Sequence, residues 1–166
     1  MSGARGFTLT ELIVILSIVG ILAWVAWPRI TAMDEIKLDA AARRLAADLR
    51  YAQSLAMSKR TVHGILFEPA LGRYTVFAPA PGTPIEDPSD RGRPLVMNYG
   101  SRAEFQGVVL VSAAFGATPG VKFDYFGVPR DTAMNDLAST GRVVLSYQGS
   151  ADTVLVAAQT GEVTLR

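Results

Sequence analysis

The sequence predicts an α+β fold, in which a long N-terminal helix packs its second half on antiparallel β-sheets. Three observations lead there. An almost unbroken apolar run opens the chain. A stretch without glycine or proline carries a helical stripe after it. From about residue 60 onward, short alternating segments are separated by turn residues.

Bulk properties narrow the reading before any motif is considered. The 166 residues suffice for one globular domain once the N-terminal stretch is set aside, and no second domain is expected. A net charge of +1 gives no whole-molecule pull toward nucleic acid or acidic membranes. The absence of cysteine excludes disulfides and thiolate metal sites, so compartment must be read from the N-terminus.

Residues 1–6 are small and polar with one charge, Arg5. They run directly into an apolar segment from Phe7 to Trp27. That length is close to the roughly 20 residues that cross a bilayer as a helix. Residues 7–28 therefore read as a membrane and assembly helix. Arg5 places the N-terminus on the cytoplasmic side, Trp24 and Trp27 fall at an interfacial belt, and the rest of the chain lies outside. A conventional secretory signal carries its small-residue cleavage site after the apolar region, whereas here the glycine precedes it. Glu11 interrupts the apolar run. A carboxylate inside such a segment costs about 3 kcal/mol on insertion scales and marks a functional candidate. The alternative is that Glu11 lies close enough to the helix start to reach water, or to interact favourably with the helix N-terminus.

Pro28 removes one N–H donor and is expected to end or kink the helix. Residues 29–59 continue as an amphipathic helix. Leu38, Ala42, Leu45, Leu49, Ala52 and Ala56 form the apolar stripe, with Lys37, Arg43, Arg44, Asp48 and Arg50 largely outside it. At 1.5 Å per residue, Phe7 to Ser58 would extend roughly 75 Å, more than a domain of this size can bury. The front half must find cover in lipid or in neighbouring helices.

Residues 60–166 read as an antiparallel β domain. Strands are expected at 62–68, 74–78, 95–99, 108–111, 121–125, 143–147, 154–158 and 163–165. The proline-rich segment 79–94 is expected to be a long exposed loop.

The string Arg5-Gly6-Phe7-Thr8-Leu9-Thr10-Glu11-Leu12 resembles the leader motif of type IV pilins and type II secretion pseudopilins. The resemblance implies that a prepilin peptidase cuts between Gly6 and Phe7 and that Phe7 is then N-methylated. It also implies that Glu11 neutralises the N-terminal amine of a neighbouring subunit during assembly. The helix Ala42–Ala56, the strand Val62–Phe67, the turn Phe123-Asp-Tyr-Phe-Gly127 and the terminal Thr160-Gly161-Glu-Val163 resemble a minor branch of that family, typified by general secretion pathway protein H and the fimbrial T-type minor pilins. This implies a non-enzymatic, low-copy subunit of a filament tip. It would be anchored by one span in the bacterial inner membrane, with its domain in the periplasm. Its implied partners are the prepilin peptidase, other pilins or pseudopilins, and an inner-membrane assembly platform. Members that bind DNA carry a C-terminal Gly-Arg-x-Arg pattern, where this chain has Gly161-Glu162-Val163-Thr164. Nucleic acid is accordingly not expected as a partner.

The remaining constellations are weaker. His63 is the only histidine and has no partner identifiable in the sequence. Glu86, Asp87 and Asp90 match no calcium-loop spacing and read as a solvated acidic stretch. Arg91, Arg93, Arg102 and Arg166 are the candidate DNA or partner contacts, set among acids that make a mixed surface. No catalytic residues, metal site or cofactor is expected. The expected function is a minor pseudopilin of a type II secretion system, acting in protein transport. The alternative is a minor pilin of a type IV pilus, acting in DNA uptake or tip binding.

Overall fold

The computed structural model describes residues 8–166, with the backbone alone described for 25–35. The expected leader 1–6, including Arg5 and Gly6, and Phe7 lie outside the described residues. One helix, α1, runs Leu9–Lys59. It is helical through Pro28, so the alternative in which the proline ends the helix is overturned. Alanine, methionine and the other helix formers beyond it carry the helix on. The Pro28 side chain, and with it the expected kink, lies outside the described side chains.

The chain divides into two compact units, Met1–Glu35 and Ile36–Arg166. In the first, every described side chain from Thr8 to Trp24 is exposed. In the second, the expected stripe is buried throughout. Leu38, Ala42, Leu45, Leu49, Ala52 and Ala56 are all in the core, joined by Ala41 and Ala46. The alanines among them let the sheets approach closely, and each leucine buried there stabilises by roughly 1.5–3 kcal/mol.

All eight segments expected as strands are strands, with ends shifted by a few residues. They are β1 (His63–Glu68), β2 (Arg73–Phe77), β5 (Val96–Asn98), β6 (Val109–Ala114), β7 (Gly120–Phe123), β9 (Gly141–Tyr147), β10 (Ser150–Val156) and β11 (Val163–Leu165). Three short strands were not expected: β3 (Glu86–Asp87), β4 (Asp90–Pro94) and β8 (Pro129–Arg130). The first two correct the reading of 79–94 as loop. They pair antiparallel as a two-stranded hairpin, made possible because Asp87 is buried and its carboxylate accepts the Ser89 N–H at 2.8 Å, closing the turn. Proline excludes a central strand, not an edge one, and Pro94 and Pro129 lie in such short strands.

Two larger antiparallel sheets carry the core. Five strands are ordered β5-β2-β1-β7-β8 and four are ordered β11-β10-β9-β6. Alternation turns Ile65, Phe67, Tyr74, Val76, Val121 and Phe123 inward from the first sheet, and Val143, Leu145, Val154 and Val156 inward from the second. Gly64 is required where it lies. A Cβ there would come within 2.5 Å of the Val121 carbonyl oxygen and 2.6 Å of the Phe77 ring.

Candidate functional site: the apolar N-terminal helix and the domain it carries

Thr8 caps the start of α1. Its Oγ1 accepts the Glu11 N–H at 3.3 Å, and its carbonyl accepts the Leu12 N–H at 3.1 Å. Thr8-Leu-Thr-Glu11 has capping-box spacing, a signal the sequence reading passed over. Beyond the cap, Leu12, Ile13, Val14, Leu16, Ile18, Val19, Ile21 and Leu22 are each more than half exposed. Ser17 disposes of its hydroxyl within the helix by donating to the Ile13 carbonyl at 2.8 Å, so it adds no unmet polar group to that surface. Glu11 is the only charged side chain between Thr8 and Trp24. Apolar exposure on this scale is not a stable water-facing surface for an isolated helix. Among the described residues no helix is long and apolar enough to cross a membrane. The expected span includes Phe7 and residues 25–28, which lie outside the described side chains.

In the second unit, α1 is fastened to both sheets by side chains that the sequence reading did not single out. Gln53 Nε2 donates to the carbonyl of Gly127, between β7 and β8, at 2.9 Å, and to that of Thr160, between β10 and β11, at 3.0 Å. Arg50 Nη2 donates to the Val163 carbonyl at 2.7 Å. Asp48, expected off the apolar stripe, is instead buried. Its Oδ2 accepts the Tyr74 hydroxyl at 2.7 Å and Arg44 Nε at 3.2 Å. Burial raises the Asp48 carboxyl above the usual range, against the lowering effects of Tyr74 and Arg44.

The candidate basic contacts come from different elements. Arg91 and Arg93 lie on β4, Arg102 lies between two short 3-10 turns, and Arg166 follows β11 in the four-stranded sheet. Arg93 faces Asp90 at 3.3 Å and Arg102 faces Glu104 at 3.7 Å. The Arg166 backbone is held against Thr153 by hydrogen bonds of 2.8 and 2.9 Å. Glu86 accepts the Gly92 N–H at 2.6 Å, and Asp87 is occupied by Ser89. Among the described residues no group of three metal-ligating side chains converges. His63 is buried, with Nδ1 2.7 Å from the Thr61 carbonyl.

Comparison with known proteins meets this architecture at both ends of the chain. The prokaryotic N-terminal methylation motif matches residues 1–27. The pilin-like protein PilA1 of Thermus thermophilus is 31% identical over 153 residues, covering 89% of this chain and 96% of that protein. The fold is similar to that of the type IV minor pilin FimU of Pseudomonas aeruginosa in two crystal forms. Their TM-scores are 0.55 and 0.53 at 18% identity, over 80% and 78% of this chain and 90% and 92% of FimU. An N-terminal methylation motif, a relative matched over nearly its whole length and a shared helix-on-sheets fold agree, and the chain belongs to the type IV pilin-like proteins.

Proposed function

We propose that the chain is a minor, structural subunit of a type IV pilin-like filament, and that its system is a pilus. The observation that carries this reading is the apolar helix surface from Leu9 to Trp24, whose one charge is the carboxylate of Glu11. Such a surface suits lipid before assembly and neighbouring helices after it. A minor-pilin role in a pilus is supported by the likeness to FimU, a type IV minor pilin, and a pilin-like subunit by the likeness to PilA1. The prepilin peptidase cuts between Gly6 and Phe7, Phe7 is methylated, and Glu11 takes the amine of an adjacent subunit. One span holds the chain in the inner membrane, with the domain in the periplasm beside an assembly platform. Nucleic acid is not a partner in this reading, because Arg93 and Arg102 face acids and the terminal turn carries Glu162.

A second reading, a minor pseudopilin of a type II secretion system, is favoured by the resemblance of the Ala42–Ala56 helix to that branch. The test is deletion of the gene in its own host. Loss of surface filaments with secretion unchanged supports the pilus. Loss of a secreted protein with filaments intact supports the pseudopilus. Both unchanged would remove the filament reading.

A further inference from the structure

A cleft of about 310 Å³ lies between the C-terminal end of α1 and the β3–β4 hairpin. Half-buried Tyr51 and Leu55 line it from the helix, and Ile85 before β3 and Pro88 in the hairpin turn line it from the other side. Tyr51 and Ile85 pack against the core. The hairpin is rooted at the same place, because Ile85 donates its N–H to the Val76 carbonyl of β2 at 3.0 Å and accepts the Leu95 N–H at 2.8 Å. The cleft is therefore built on fixed backbone and loses little freedom when filled.

Four charged residues line the same cleft, and they are not equivalent. Asp87 is buried, its Oδ1 is taken by the Ser89 N–H at 2.8 Å, and its charge acts on Arg44, which lies outside the lining. Glu86 Oε1 accepts the Gly92 N–H at 2.6 Å. Lys59 and Arg91 are exposed, and among the described residues neither has an ion-pair partner. With Asp87 set against Arg44, two cations remain beside one carboxylate that is already hydrogen-bonded, and the cleft keeps a net positive charge. An apolar lining with an unmatched cation selects a carboxylate carried next to an apolar side chain. The volume is at the small end of ligand pockets, which suits side chains of a peptide better than a whole cofactor.

We propose that this cleft docks an acidic side chain and its apolar neighbour from an extended segment of a different subunit, with Arg91 and Lys59 holding the carboxylate. The inference rests on the reading of the chain as a minor filament subunit. Within the second unit α1 runs from Ile36 to Lys59, roughly 35 Å. A partner seated in the cleft thus engages the end of the unit opposite its junction with the apolar segment. Each copy takes one such segment, and no self-association of this chain is required. Far smaller than the roughly 800 Å² per partner of a stable interface, the contact adds to the packing of the N-terminal helices.

The test uses the full-length chain, purified from its host's membranes in a non-ionic detergent, and a pentapeptide with one glutamate between two leucines. The peptide carries an uncharged fluorophore and is acetylated and amidated, so that the glutamate is its only charge. Counterparts carry glutamine or lysine at that position, and binding is read by anisotropy. The glutamate peptide is expected to bind at least ten-fold more tightly than the glutamine one and to weaken with salt. Arg91→Gln and Lys59→Gln should each weaken it by about ten-fold, the loss of a charge-assisted hydrogen bond. Arg142→Gln, at an exposed position of β9, should leave it unchanged. A lysine peptide bound as tightly as the glutamate one would show that Glu86 governs the cleft and overturn the proposal. Equal affinity of the parent and the Lys59→Gln, Arg91→Gln double variant would overturn it too, as would the absence of saturable binding. The N-terminus is determined in the same samples. A chain starting at Phe7 that binds no peptide removes the docking site and leaves the filament reading standing. A chain still starting at Met1 removes the filament reading, and with it the partner subunit.

Discussion

The Tyr74 hydroxyl donates to the Asp48 carboxylate at 2.7 Å inside the core, joining the helix to the five-stranded sheet. Asp48 is raised chiefly by burial, with Asp87 adding to that and with Tyr74 and Arg44 opposing it. A carboxyl whose pKa is higher folded than unfolded contributes stability that is complete below the unfolded value and is lost as pH rises through the folded one. Acidification from neutrality into the upper carboxylate range should therefore favour the fold at this position. Asp48→Asn keeps an acceptor for Tyr74 and removes the titration. It should stay within about 1 kcal/mol of the parent at neutral pH and flatten the pH dependence. Asp48→Ala strands the Tyr74 hydroxyl and should cost about 1–3 kcal/mol. Thermal unfolding of the detergent-solubilised chain at several pH values measures both. The comparison between parent and Asn variant separates Asp48 from Glu68 and Asp131, whose carboxyls are lowered by Arg73 and Asn135 and so act with the opposite sign.

Gln53 bridges the carbonyls of Gly127 and Thr160. Gln53→Ala should destabilise the domain by roughly 1–2 kcal/mol through two lost hydrogen bonds. Gly161→Ala should cost more. Its φ is +69°, and a Cβ would press on Gln53 and come within 2.8 Å of the Gly127 oxygen. Equal melting temperatures for these variants and the parent would remove the bridge from the account.

Duplex DNA should bind the chain weakly or not at all, since two of the four candidate arginines face acids and the terminal turn carries Glu162. A shift assay across salt concentrations checks this. Sub-micromolar binding that weakens steeply with salt would mean that a phosphate-contacting surface exists.

Glu11 is expected to act between subunits. Glu11→Gln keeps the shape and removes the charge, so the chain should still insert and fold while its incorporation into filaments falls several-fold. Crosslinking to partner subunits in membranes reads this out. Unchanged incorporation would leave Glu11 as a tolerated residue near the helix cap.

What was legible in the sequence was what periodicity encodes. The stripe from Leu38 to Ala56 and the eight alternating segments stand in the chain as helix and strands. The β3–β4 hairpin was hidden because proline content argues against strands, while the Asp87 turn that closes it depends on burial. Asp48 was misplaced because a helical carboxylate reads as surface unless its partner is known, and Tyr74 lies 26 residues away. The Gln53 bridge spans 74 and 107 residues, beyond any local pattern. The Thr8 cap, by contrast, was available as a four-residue motif. The exposed rings of Tyr125 and Phe126 carry no sign in the sequence of which way they point, because turn residues have no period.

The central claim is that this chain is processed and used as a pilin-like subunit, and the mass of its N-terminal peptide from native membranes tests it most directly. The account predicts a mature chain beginning at N-methylated Phe7. A chain beginning at Met1, or one cut beyond Ala23 as at a conventional signal, would contradict it.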